Sequence, residues 1–164
     1  MKELFLVRHA KSSWEDVANS DFERPLLEKG IKRMRKVIDV LLEKQVKIDL
    51  LITSPAKRTY ETSLIIANQF GITEDEIRQE KMLYEGSVAD YEDLFYDLSD
   101  HINTLMIVGH NPSITMFANR FLERKIDYLP TAGVVGITFK TDQWESVFSS
   151  PSEISLIIIP KQLK

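Results

Sequence analysis

The chain of 164 residues contains no cysteine. That excludes a disulfide framework and a thiolate nucleophile. It has three histidines, well separated in sequence, so no metal-ligand spacing is present and no metal or other cofactor is expected. No apolar run approaches the roughly 18 residues of a membrane-spanning helix. The first run, Leu4 to Val7, is cut short by Arg8, whereas a secretory core needs about 7–15 apolar residues. Glycine and proline are sparse, six of each, and no linker, repeat or low-complexity tract divides the chain. One domain over residues 1–164 is therefore expected. A surplus of one sign of charge is also missing. The net charge is −4, which argues against broad nucleic-acid binding while leaving room for a local basic pocket. With 43% hydrophobic and 28% charged residues, the composition is that of a globular protein, and a cytoplasmic location is expected, with no membrane partner. Composition leaves the oligomeric state open.

Against these absences, one stretch stands out. Leu4-Phe5-Leu6-Val7 reads as a short buried strand, and it runs straight into Arg8-His9-Ala10-Lys11-Ser12. A buried strand ending in a cation and an imidazole delivers both to the carboxyl edge of a sheet, where open α/β folds bind ligands. The pattern recurs. Ile48 to Thr53 reads as a strand that enters Ser54-Pro55-Ala56-Lys57-Arg58, with Ser54 as a helix N-cap and Pro55 at the first helical position. Arg58 then sits one turn inside that helix. Thr104 to Val108 reads as a third buried strand, followed by Gly109-His110-Asn111-Pro112, with Asn111 capping a helix through Phe121. Gly109 would let the backbone approach a ligand, and the helix N-terminus would favour an anion.

The remaining segments are less pointed. Ser12 to Glu23 reads as a loop, with Trp14 either walling a pocket or packed on the surface. Leu27, Ile31, Met34, Ile38 and Leu41 have helical spacing. The polar side of that helix carries Lys29, Lys32, Arg33, Arg35 and Lys36, and a solvated face is favoured over a binding surface. Gly30 costs this helix about 1 kcal/mol relative to Ala, and close packing is the one reason the sequence suggests. Thr73-Glu74-Asp75-Glu76 has the form of a capping box. Arg78 to Leu83 reads as a short strand. Tyr91, Leu94, Phe95 and Leu98 mark a helix with His101 at its end, and Val134–Phe139, Trp144–Phe148 and Ile154–Ile159 read as strands.

Arg8-His9-Ala10 resembles the Arg-His-Gly signature of the histidine phosphatase (phosphoglycerate-mutase-like) superfamily. With Lys11-Ser12 and Arg24-Pro25-Leu26 it is similar to the small SixA-type branch, whose namesake is a phosphohistidine phosphatase. Ser54 to Arg58, Leu83-Tyr84-Glu85 and Gly109-His110-Asn111-Pro112 resemble further motifs of the superfamily, as does Leu129-Pro130-Thr131-Ala132-Gly133 for the SixA-like branch. The resemblance runs from residue 3 to about 160. It implies a three-layer α/β/α sandwich with a mixed, mostly parallel central sheet. Ala10 departs from the superfamily's Gly but is at home in the small branch. Long pocket-covering insertions are absent, which implies an open site.

What the resemblance implies chemically fits the residue types. His9 would attack phosphorus and form a phosphohistidine intermediate that water hydrolyses. Arg8, Arg58 and His110 would bind the phosphoryl oxygens, with Arg24 as an additional contact and Glu85 as proton donor. Phosphoryl transfer depends on positioning and electrostatics, and arginine's planar fork suits a phosphoryl group. The expected partner is a phosphorylated protein, with protein phosphohistidine leading, or a small phosphoester. Two other readings stand beside it: a small-molecule phosphomonoesterase, and a phosphate-binding regulatory module without turnover. Incidental placement of the His and Arg residues in a structural domain is the bland reading. It is disfavoured because several roles are filled together.

Overall fold

The computed structural model describes residues 1–14 and 20–163. Six strands form one sheet: β1 (Lys2–Arg8), β2 (Leu50–Thr53), β3 (Ile77–Gln79), β4 (Thr104–Gly109), β5 (Val134–Phe139) and β6 (Ser152–Ile158). Their spatial order is β3-β2-β4-β1-β5-β6. The first four are mutually parallel, β5 runs antiparallel to β1, and β6 antiparallel to β5. The helices are α1 (Glu28–Glu43), α2 (Lys57–Phe70), α3 (Val88–Asp93) and α4 (Ser113–Asn119).

Strands covered on both faces need apolar side chains at every position. Leu4–Val7 and Leu105–Val108 meet that demand, and all eight residues are buried. Alternation then divides them between two cores. Leu4, Leu6, Leu105 and Ile107 pack with Tyr91 of α3 and Phe117 of α4. Phe5, Val7, Met106 and Val108 pack with Met34 and Leu41 of α1 and Ile66 of α2. The result is the expected three-layer α/β/α sandwich with a mixed, mostly parallel sheet. Among the described residues no helix is long and apolar enough to cross a membrane.

Several local expectations are corrected. Trp144–Ser149 is a 3-10 helix and not a strand. Trp144 and Val147 are both buried, and their spacing of three matches a 3-10 turn. The strand after the Thr73 capping box is Ile77–Gln79, and Lys81–Leu83 turns away as a 3-10 helix. The helical stretch that begins with α3 continues as a 3-10 turn and ends at Asp97, so His101 lies in an exposed turn beyond it. Helix α2 starts at Lys57 with Ala56 as N-cap, which leaves Ser54 outside the helix. Of the loop expected over Ser12 to Glu23, Ser12 forms a bridge with Leu26 and Asp21–Glu23 a 3-10 turn, while residues 15–19 lie outside the described residues.

Candidate active site

Parallel pairing brings three strand ends to one edge. Arg8 is in register with Gly109, and Thr53 with Val108. The residues that follow, His9, His110 and Ser54, therefore meet. A cleft of about 380 Å³ opens there, lined by Arg8, His9, Arg24, Arg58 and His110, with Trp14 at its side. Among the described residues its lining carries five cationic side chains, Lys11 and Arg33 included, against one carboxylate, Asp21. That imbalance selects an anionic ligand.

The two imidazole centroids lie 5.5 Å apart. His9 Nδ1 is 2.7 Å from the Ala10 carbonyl oxygen. A carbonyl can only accept, so Nδ1 carries the ring proton and Nε2 keeps its lone pair. Thr62 of α2 holds the same peptide: its hydroxyl accepts the Ala10 N–H at 3.0 Å and donates to the Arg58 carbonyl at 2.7 Å. Burial lowers the His9 pKa to about 3; the bond to Ala10 opposes this, and His110, Arg8 and Arg58 reinforce it. His9 is thus neutral at pH 7, as a nucleophile requires.

His110 is held at its other nitrogen. Nε2 lies 2.8 Å from Ser54 Oγ, while Nδ1 has no hydrogen-bond partner among the described residues. Its backbone N–H donates to the buried Tyr91 hydroxyl at 3.2 Å. Burial, then Arg58, lowers its pKa to about 4, with Asp21 opposing. Gly109 is explained by the same tyrosine. A Cβ there would come within 2.1 Å of the Tyr91 hydroxyl oxygen, so the close approach is made by Tyr91 rather than by a ligand. Asn111 is not the helix cap expected of it. Its amide donates to the Leu129 carbonyl and its oxygen accepts from Thr115, and α4 begins at Ser113. That helix has seven residues, so the anionic preference rests on guanidiniums.

The guanidiniums are braced by backbone and by Asp21. Arg8 donates to the Leu129 carbonyl at 3.1 Å. Arg58 is buried; it donates to the Asp21 carbonyl at 2.8 Å and carboxylate at 3.1 Å. Arg24 donates to the same carboxylate at 2.9 Å and to Ser12 Oγ, and its guanidinium stacks on Trp14 at 3.4 Å. Tyr84 adds its hydroxyl to Asp21 at 2.8 Å. Burial favours the protonated carboxyl, but Tyr84, Arg24 and Arg58 outweigh it and lower the Asp21 pKa to about 2. Arg8 Nε and Arg58 Nε are buried donors without partners among the described residues.

Arg8, His9, Arg24, Arg58 and His110 are therefore brought together, and Glu85 is not. Glu85 adopts φ 57° and lines an adjoining depression, which shares His110 and Asn111 with the cleft but not His9. Its neighbour Tyr84 reaches the site instead, through Asp21. Sequence reasoning missed Asp21, Thr62 and Tyr91. All three are ordinary polar or helical residues in the chain, and their roles arise from tertiary contacts. The Leu129 to Gly133 segment was partly visible. Thr131 lines the cleft, and the Ala132 N–H lies 3.1 Å from both the Arg8 and His9 carbonyls. Among the described residues no group of three or more His, Asp or Glu side chains could hold a metal ion.

A family model described as histidine phosphatase superfamily (branch 1) matches residues 4–104. An uncharacterised chloroplast protein of Arabidopsis thaliana is 29% identical over 157 residues, which cover 90% of this chain and 71% of that protein. Among solved structures, SixA of Agrobacterium tumefaciens superposes with a TM-score of 0.81 at 22% identity, covering 97% of this chain and 98% of its own. The protein histidine phosphatase SixA complexed with tungstate gives a TM-score of 0.79 at 19% identity, covering 99% of each chain.

Proposed function

Because this chain belongs to the histidine phosphatase superfamily, branch 1, we propose that it hydrolyses protein phosphohistidine through a covalent phosphoryl group on its own His9. The observation that carries this reading is the His9 ring: neutral, tied at Nδ1 to Ala10, and set among three guanidiniums. The likeness in fold to SixA, a protein histidine phosphatase that has been solved with tungstate, supports the reading.

In the first step the Nε2 lone pair attacks phosphorus. The substrate's ring takes a proton from solvent on its free nitrogen, the P–N bond breaks, and its electron pair goes to the leaving nitrogen, so that neutral imidazole departs. Arg8, Arg58 and Arg24 hold the three phosphoryl oxygens, where charge is greatest in the transition state. An incoming dianion also adds to Asp21 as a counter-charge to the guanidiniums of the lining. Burial first and Arg58 second keep His110 neutral; the dianion's charge opposes both, so His110 takes a proton from solvent and binds a phosphoryl oxygen. In the second step water attacks phosphorus, the Nε2–P bond breaks, and its electron pair returns to Nε2. The water's proton passes to solvent and inorganic phosphate leaves.

Glu85 bears on the substrate. An alkoxide leaving group needs an acid beside it, but Glu85 lies one depression away from His9 and Asp21 is held ionised. An imidazole leaves without a strong acid, so the site suits a P–N bond better than a P–O bond. The test offers wild type a phosphohistidine-bearing protein and an aryl phosphate. The expected result is far higher kcat/KM on the first, lost in His9→Ala. Equal or greater turnover of the aryl ester would favour a phosphomonoesterase. Phosphate binding with no turnover of either would favour a regulatory module.

A further inference from the structure

The cationic character of the site does not stop at the cleft. Arg33 of α1 is exposed and lines three neighbouring hollows. The first is the cleft itself. The second, about 430 Å³, shares Thr131 with it and is walled by Tyr128, Pro130 and Ile159. The third, about 390 Å³, shares Pro160 and Lys161 with the second and is bounded by Lys29, Lys32 and Lys36. Together they make one track from His9 along α1.

Lys29, Lys32, Arg33 and Lys36 fall at i, i+3, i+4 and i+7, so they form one stripe on the helix. All four are exposed. Among the described residues none of them, nor Lys11 or Lys161, is in an ion pair. The crowding is real enough that Lys29, and further off Arg33, hold the Lys11 ammonium below its ordinary pKa. Unpaired like charges repel and cost stability unless something anionic covers them. The stripe is also fixed to the site. A Cβ on Gly30 would stand 2.3 Å from the Lys11 carbonyl oxygen, and Leu27 N–H donates to that oxygen at 2.9 Å. Gly30 thus lets α1 sit against the chain that leaves His9, which is the close packing the sequence suggested. The apolar element distinguishes a protein from a small ligand: Tyr128 is 64% exposed in a groove with Pro130 and Pro160, and a small phosphoester would fill the cleft alone.

We propose that this track is a docking surface for an acidic segment of the phosphorylated protein substrate, with carboxylates on the α1 stripe and apolar side chains beside Tyr128. This rests on the phosphohistidine reading above and names the class of protein it acts on. It also replaces the solvated-face reading of α1 with a functional one.

Synthetic phosphohistidine peptides of one length test it, flanked either by glutamates or by serines, with free phosphohistidine as the small control. The enzymes are wild type and Lys29→Gln/Lys32→Gln/Lys36→Gln, three exposed lysines outside the cleft lining. At low salt the acidic peptide should show a KM about tenfold below that of the serine peptide, with kcat unchanged. The triple variant should lose that difference yet turn over free phosphohistidine as wild type does, which also shows that it is folded. High salt should erase the preference. Equal KM for both peptides on wild type would overturn the docking surface. If no phosphohistidine substrate is turned over, the function reading fails by itself. Anisotropy of a fluorescein-labelled glutamate peptide then still decides docking, by weaker binding to the triple variant or by none to wild type. An oligonucleotide that binds as tightly as the peptide would mark a general polyanion surface and overturn the assignment to a protein.

Discussion

His9 and His110 occupy equivalent places and are held in opposite ways. Each follows the last residue of a buried parallel strand, and the two strands are neighbours in register. Yet His9 is tied at Nδ1 to a backbone carbonyl, and His110 at Nε2 to a serine hydroxyl. The first contact dictates a tautomer, because a carbonyl cannot donate. The second does not, because a hydroxyl can do either. So strand position explains why both rings reach one cleft, while the partner of one nitrogen separates the proposed nucleophile from the proposed oxyanion binder. The backbone supports differ too: Thr62 fixes the Ala10 peptide under His9, and Tyr91 fixes the amide of His110.

The largest expected break in this comparison is removal of the rings. His9→Ala should abolish turnover, by about 10⁴-fold or more, since no other group replaces a covalent nucleophile. His110→Ala should cost about 10²–10³-fold in kcat, the scale of losing one oxyanion donor. Single-turnover kinetics on both variants check the order. Equal losses would mean that the rings act as one unit.

The next effects come from the supports. Tyr91→Phe removes the acceptor for the His110 N–H and leaves that buried donor unpaired, a loss of about 1–3 kcal/mol in stability. Urea denaturation should show it, with kcat falling about tenfold as His110 loosens. Ser54→Ala frees the ring itself and also unpairs the buried Ala56 N–H, so it should lower kcat and cost stability on a similar scale, about 1–3 kcal/mol. Unchanged kcat in both variants would remove these residues from the site's support.

The supports are also where the sequence was least informative. Apolar runs ending in Arg-His and Gly-His exposed the strands, the sheet edge and three of the cleft's side chains, Arg8, His9 and His110, because burial on both faces leaves a continuous signature. Trp144 was misread because burial at a spacing of three and a strand's alternation look alike over five residues. Gly30 and Gly109 were legible as anomalies but not as contacts, since each answers to an atom far away in the chain, the Lys11 carbonyl or the Tyr91 hydroxyl. Glu85 was placed by motif, and the backbone at φ 57° puts it in the neighbouring depression. Asp21 was invisible because its role depends on Arg24, Arg58 and Tyr84 converging on it.

A separate effect, which needs no turnover, is the dependence of stability on pH. Both rings are buried neutral, with pKa values of about 3 and about 4 against an ordinary value near 6.5. Below pH 6.5 the unfolded chain takes up protons that the folded chain refuses, so stability falls with pH until the folded rings titrate near 4 and 3. Urea midpoints at pH 7 and pH 4.5 should differ less in His9→Ala and in His110→Ala than in wild type. An undiminished difference would mean that the folded rings are not held neutral.

The most direct test of the account is to trap the intermediate. Wild type is mixed with a phosphohistidine substrate, quenched in alkali within one turnover, digested, and the phosphopeptide located by mass spectrometry and its linkage assigned by NMR. The account predicts one phosphoryl group, on His9, bonded to Nε2. A phosphoryl group on His110, attachment at His9 Nδ1, or single-turnover release of phosphate from an enzyme never labelled would contradict it.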